Sequence, residues 1–455
     1  MNINMTVRCD ECSNHTNCRC GMSNRDHQPL KFTCRNCGST IGITFDVQGA
    51  DSLDTVALAA MLSSKNKRKP PKLNQGVRHR VTGATEVEGE SPFKPGIDFV
   101  DLHLDFPVVF GEYEMGNTPY MQASMRSGAE RAAFHRDRLG LVNAQYKKYP
   151  QVIKLIGMYN SGFHGPFAVL ARKSFKVEVR SKRLEDINAA LYTVVSHYVL
   201  PFTLPDTSQG ASRKFTHTVL DLLQSKREAT GAFLQKLYDT EYLVGLQRDC
   251  LKIYKPIFHA EMPLRPALFL DLDPSYVEGQ VPMRVSTNDF EEYKEVYKDM
   301  AEIYSRQLVL VAGINNLIKR GDHDAFASGV WVTAKGKDQA PDGLEDYADV
   351  ALGNKPRFLD DPWFTLDPVA QDNKLRNGIA HAKIDYNEVT QKITYYPKLE
   401  GMQRASKEEI FLLDYMRRML ALFREVHRLH HLIKCLNYAI LLEPGASLIK
   451  KPPGV

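Results

Sequence analysis

Two groups of residues in this 455-residue chain have the types and spacing that chemistry requires. Cys9 and Cys12 enclose two residues, as do Cys34 and Cys37, and Gly38 follows the second pair. Each pair closes a tight turn that aims two thiolates at one cation, and two such turns complete a tetrahedral site for Zn²⁺. The second group is Arg376, Asn377 and His381, within six residues and across Gly378. An imidazole that titrates near neutrality moves protons, while a guanidinium presents fixed donors suited to phosphate oxygens. Residues five apart on an unbroken helix diverge by about 140°. A break at Gly378 would bring the imidazole back toward the guanidinium.

The elements around the cysteines read as strands, "LKFT" and "TIGITFDV", so the first 48 residues are expected to form a small zinc ribbon. Six of the eight cysteines fall between Cys9 and Cys37, which in a reducing compartment points to metal rather than disulfides. Cys18 and Cys20 leave two alternatives open: either replaces one of the four ligands, or both join His15 or His27 in a second site. Four ligands from the two pairs and one structural zinc is the favoured arrangement.

Around the second group, Asp367 and Pro368 mark a helix start, and "DPVAQDNKLRN" reads as a short helix. "KIDYNEVTQKITYY" then reads as two strands about a polar turn. Long helices flank this stretch. One carries Phe290, Tyr293, Tyr297, Met300, Tyr304, Leu308, Val311 and Ile318 on one face. The other opens with a Ser406/Glu409 capping box and carries an apolar stripe from Leu412 to Ile440, suited to a bundle or a dimer. Asn316 and Arg320 end the first helix and read as ordinary caps. His427, His430 and His431 read as surface or dimer-face histidines, with metal binding the less favoured use.

The chain is too long for one ordinary core. Its expected division is a zinc ribbon at 1–48, a basic linker at 49–95, an α+β middle domain at 96–285 and a helical bundle at 286–445. The fold class is therefore mostly α, with an α+β middle region. In the linker, "DSLDTVALAAMLSS" reads as a helix, and the acid-free run from Lys65 to Arg80 as a solvated arm able to meet phosphates. The net charge of +5 is too mild to argue for nucleic acid by itself. In the middle region "IDFVDLHLDFP" and "FKVEVRS" alternate like strands, and "LFLDLDPS" resembles a strand end bearing a carboxylate pair. Asp271 with Asp273, or Asp101 with His103 and Asp105, could hold a divalent cation, although any half-exposed strand shows such alternation. No leader peptide or bilayer-length apolar run is visible, so a cytoplasmic protein without membrane contact is expected.

Arg-Asn-x-x-x-His between helices, with a small residue before the histidine, resembles the motif of the HEPN family over roughly Ser286 to Pro444. The resemblance implies a helical bundle that dimerises so that two motifs face one another. It implies Arg376, Asn377 and His381 as catalytic residues of a metal-independent endoribonuclease, leaving 2′,3′-cyclic phosphate and 5′-hydroxyl ends. It also implies a role in antiviral defence or as a toxin. RNA is then the substrate, and the ribbon or middle domain meets a protein partner or trigger. The alternative is a module without catalysis that binds nucleic acid or protein in a larger complex, with Arg376 capping a helix and Asn377 in a left-handed turn.

Overall fold

The computed structural model describes residues 2–47, 77–89, 93, 96–204, 208–273, 275–287, 290–334, 336–360, 363–397 and 407–442. The 51–64 helix expected from the sequence, most of the basic run and Ser406 lie outside them. The chain forms two compact units that alternate along the sequence: 1–147, 259–293 and 383–417 make one, and 148–258, 294–382 and 418–455 the other. Helix dominates, with several small sheets.

The first unit begins with strands β1 (Asn2–Cys9), β2 (His15–Gly21), β3 (His27–Thr33) and β4 (Thr40–Val47). In β4 the period-two pattern is explicit, since Ile41, Ile43, Phe45 and Val47 are buried while the residues between them are not. Strands β5 (Val77–Thr82) and β6 (Ala84–Val87) follow in the segment read as a linker. β5 extends the β3–β4 hairpin, and β6 pairs with β1. β7 (Asp98–His103) runs parallel to β2, closing a sheet of order β6-β1-β2-β7 beside the sheet β3-β4-β5. Met5, Val7, Leu30, Ile43, Phe45, Val100 and Leu102 belong to one core drawn from both sheets. The cysteine hairpins are thus half of a β-sandwich that takes its remaining strands from residues up to His103.

The same unit contains a short pair, β8 (Val108–Val109) and β9 (Met283–Arg284), and helices α1 (Pro119–Ser127) and α2 (Ala129–Tyr146). "LFLDLDPS" is not a strand end: its apolar residues close a helix, Glu261–Leu270 (α10 in chain order). A three-stranded sheet of β10 (Ile384–Asn387), β11 (Lys392–Tyr395) and β12 (Glu408–Phe411) completes the unit, including the hairpin expected after His381. Glu409 lies in β12, opposite Thr394, and pairs with Lys392 at 3.0 Å. It is therefore not the third residue of a helical capping box.

In the second unit the intervening helices are α3 (Tyr149–Asn160), α4 (His164–Phe175), α5 (Leu184–Thr203), α6 (Ser208–Ser225), α7 (Arg227–Asp239), α8 (Tyr242–Lys252) and α9 (Tyr254–His259). "FKVEVRS" is not a strand, because Phe175 ends α4 and residues 176–180 carry no ladder. Helices α6 to α8 follow one another closely over residues 208–252. Helices α11 (Phe290–Arg320) and α14 (Leu412–Leu442) are 31 residues each. Short α12 (Leu344–Asp349) and α13 (Asn373–Ala380) lie between them in sequence. The α11 stripe is buried through Val311, with Ile318 half-buried. In α14, Leu412, Met416, Met419, Phe423, Val426, Leu429, Ile433 and Leu436 are buried within the chain itself, so this stripe is not an open dimer face.

Candidate functional site

The four cysteines converge through two turns of the same construction. After β1, the Cys9 N–H donates to the Asn14 carbonyl and the Ser13 N–H to the Cys9 carbonyl, both at 2.9 Å. After β3, the Cys34 N–H donates to the Ser39 carbonyl at 2.9 Å and the Gly38 N–H to the Cys34 carbonyl at 3.0 Å. The fifth residue of each turn is left-handed, Ser13 at φ 59° and Gly38 at φ 77°. Glycine meets that requirement without strain. The Sγ atoms of Cys9 and Cys37 are 3.6 Å apart, as are those of Cys12 and Cys34, and all four lie within 4.8 Å of one another. A tetrahedron with metal–sulfur bonds of about 2.3 Å has edges of about 3.8 Å. The cluster can therefore hold a metal ion.

Burial pushes the Cys34 thiol up to about 11, whereas hydrogen bonding with Ser39 brings that of Cys37 down to about 6. A bound divalent cation would override both tendencies by holding thiolates. Cys18 and Cys20 belong to β2 and are fully buried, with burial pushing both thiols up. They act as small core residues rather than ligands. His27 faces Asp46 at 2.7 Å, and among the described residues no second group of metal-binding side chains assembles.

Arg376 and Asn377 sit on α13, and His381 is its C-cap. Asp372 caps the helix N-terminus by accepting from the Leu375 N–H at 2.9 Å, so the helix starts five residues later than Asp367-Pro368 suggested. The helix runs unbroken through Gly378 to Ala380, and the expected glycine break is absent. Side chains fasten α13 to its long neighbours: Asp372 pairs with Arg418 of α14, and Arg376 with Glu302 of α11. Arg376 also donates to Asn377 Oδ1 at 3.1 Å. Asn377 and His381 are exposed, and Arg376 is half-buried. Beneath this helix, burial pushes Glu425 of α14 up to about 6; Arg428 lies 2.5 Å away, and the Tyr304 hydroxyl is 3.4 Å from its other oxygen. Asn316 and Arg320 reach beyond the end of α11 rather than capping its own carbonyls. Asn316 donates to the His323 carbonyl at 2.9 Å, and Arg320 binds Asp360 at 2.7 Å.

Two polar assemblies went unread in the sequence. In the first unit Arg265 is wholly buried between Asp105 at 2.8 Å and Glu261 at 2.6 Å, and Arg25 meets Glu261 at 2.6 Å. Two cations thus balance two anions. Asp101 is likewise taken by Arg19, Asp271 by Arg138 and Asp273 by Arg126, so none of these carboxylates is free for a cation. In the second unit His427 and His430 are buried, not superficial. The Tyr254 hydroxyl is 2.9 Å from His427 Nδ1 and 2.8 Å from His430 Nδ1. Tyr192 is 3.1 Å from His430 Nε2 and accepts from Gln247 at 3.0 Å. That order fixes the direction of donation: Gln247 to Tyr192, Tyr192 to His430 Nε2, His430 Nδ1–H to Tyr254, and Tyr254 to His427. Both imidazoles are neutral, and burial holds both far below their usual range. The Glu261/Arg265 spacing of four was the one local signal of these assemblies.

No protein-family model, curated protein or solved structure matches the chain. Among the described residues, no helix is long and apolar enough to cross a membrane.

Proposed function

We propose that this protein is a cytoplasmic, metal-independent endoribonuclease of the HEPN kind, acting as a homodimer in antiviral defence or as a toxin. The observation that supports the reading is the α13 surface: a capped helix, fastened to long helices at its N-cap and its middle, carries half-buried Arg376 beside the exposed Asn377 and His381. In the proposed reaction the RNA 2′-oxygen attacks the adjacent phosphorus and the bond to the 5′-oxygen breaks. A proton leaves the 2′-hydroxyl and one reaches the departing oxygen. His381 moves protons, Arg376 neutralises the charge on the phosphorane oxygens, and Asn377 orients the guanidinium it touches. The partner's copy of the motif supplies the second proton-transfer group. The four-cysteine cluster is assigned a structural Zn²⁺ with all four positions filled by protein, outside the reaction.

The Glu302 carboxylate occupies the Arg376 guanidinium that a phosphate would need. Glu302→Gln should therefore raise the cleavage rate a few-fold, since an exposed pair of this kind is worth about 0.2–1 kcal/mol. The deciding experiment incubates purified protein with assorted RNAs in EDTA, beside Arg376→Ala and His381→Ala, with zinc content measured throughout. Cutting that survives chelation and disappears in both variants supports the nuclease. RNA retained uncut by all three proteins, even from cells under phage infection, supports the binding module instead.

A further inference from the structure

Six helices of the second unit line a cavity of about 270 Å³ that neither the α13 surface nor the cysteine cluster uses. Its polar lining is unusual in being made of side-chain amides, Asn160, Asn188, Gln247 and Asn437, beside the hydroxyl-bearing Tyr159. Apolar walls come from Leu237, Leu243 and Ile440. Two of the amides retain donors with no use inside the protein. Asn437 Nδ2 is buried without a hydrogen-bond partner. Asn188 is 4% exposed, and its only side-chain bond is through Oδ1, which accepts from Tyr159 at 2.5 Å. Leaving such donors unpaired costs about 1–3 kcal/mol each, so the cavity suits a ligand that brings acceptors.

The rest of the lining narrows the class. Tyr159 also lies 3.3 Å from Gln247 Oε1, and Gln247 leads inward to Tyr192 and His430, so the cavity floor is held rigid by the buried chain behind it. Fixed amides with unused donors match the acceptors on the edge of a nucleobase, and aromatic and aliphatic walls suit its faces. No carboxylate lines the cavity, while His164 and the exposed Arg248 do. Among the described residues Arg248 has no ion-pair partner, its neighbour Asp249 being engaged by Lys252 at 2.7 Å and Arg306 at 2.6 Å. A free guanidinium at the rim of an acid-free cavity calls for an anion.

We infer that this cavity is a nucleoside monophosphate site, with the base held by Asn188 and Asn437 and the phosphate by Arg248. The inference does not rest on the nuclease reading, because it uses none of the α13 residues. Calorimetric titration of the full chain with the four common nucleosides, their 5′-monophosphates and inorganic phosphate tests it, beside Arg248→Ala and Asn437→Leu. One site per chain is expected. Arg248→Ala should weaken a monophosphate about tenfold or more while leaving its nucleoside unchanged, and Asn437→Leu should weaken both. Arg248 is exposed, so its variant folds even if that of Asn437 does not. The inference is overturned if no nucleoside or nucleotide binds at millimolar concentration. It is also overturned if inorganic phosphate binds as tightly as the nucleotides, or if Arg248→Ala leaves nucleotide binding unchanged.

Discussion

Tyr254 shows how much a single hydroxyl can hold. It accepts from one buried imidazole and donates to another, so Tyr254→Phe leaves both without their partner at Nδ1. The expected cost is about 1–3 kcal/mol, read as a lower midpoint in urea with an unchanged slope. The same histidines set the acid limit. Burial holds His427 far below its usual value, His430 down to about 3 and His431 down to about 4. With folded values depressed, stability is complete above the unfolded value of about 6.5. It is lost as pH falls, because the unfolded chain takes up protons that the folded chain refuses. Glu425 and Asp414, raised by burial to about 6, act oppositely and withdraw stability as pH rises through that value. Burial also lowers His103 and His135 and raises Asp101, so five lowered imidazoles against three raised carboxyls leave a net loss toward acid. The thermal midpoint should fall between pH 6 and pH 4 in calorimetric scans, and a rise over that range would contradict neutral buried histidines.

At the level of elements, close approach of helices is bought by one glycine. A Cβ on Gly313, in the last third of α11, would lie 2.6 Å from the Phe233 ring of α7. Gly313→Ala should destabilise by about 1–3 kcal/mol despite alanine's better helix propensity, as measured by thermal or urea unfolding. Nothing in the sequence marked that contact, since Phe233 is distant along the chain. What could be read were the long amphipathic helices and the two cysteine turns, where spacing alone determines geometry: a stripe at three- and four-residue steps, or two thiols three positions apart. Short alternating runs misled. Residues 175–181 alternate as a strand does but find no neighbour to bond, and Leu268 to Leu270 continue a helix that already contains Pro263 and Pro266. Gly378 was read as a break, yet α13 is continuous, with its N-terminus capped by Asp372 and its middle tied to α11 through Arg376. The polarity of His427 and His430 suggested a surface, because their hydroxyl partners come from Tyr192 and Tyr254 on other helices.

Across the whole molecule, packing and sequence order are out of step. Composition suggested cuts at 48, 95 and 285, but the first sandwich core takes residues from both sides of the first two, and the first unit takes residues from both sides of the third. Fragments ending at residue 95 or 285 should therefore be insoluble or lack protected amides in hydrogen exchange, whereas the intact chain should show a slowly exchanging core. The four-cysteine cluster belongs to the same scale, because Cys9 and Cys34 join it to that core. The full chain should hold one zinc per molecule by elemental analysis, and Cys34→Ser should lose it and lower the melting temperature.

The alternation has a consequence for biosynthesis. Residues 383–417 complete one unit and the stretch from 418 completes the other, so a ribosome must translate past position 417 before either is whole. An interrupted round of translation would release a polypeptide with two unfinished cores, fit for proteolysis and unable to act.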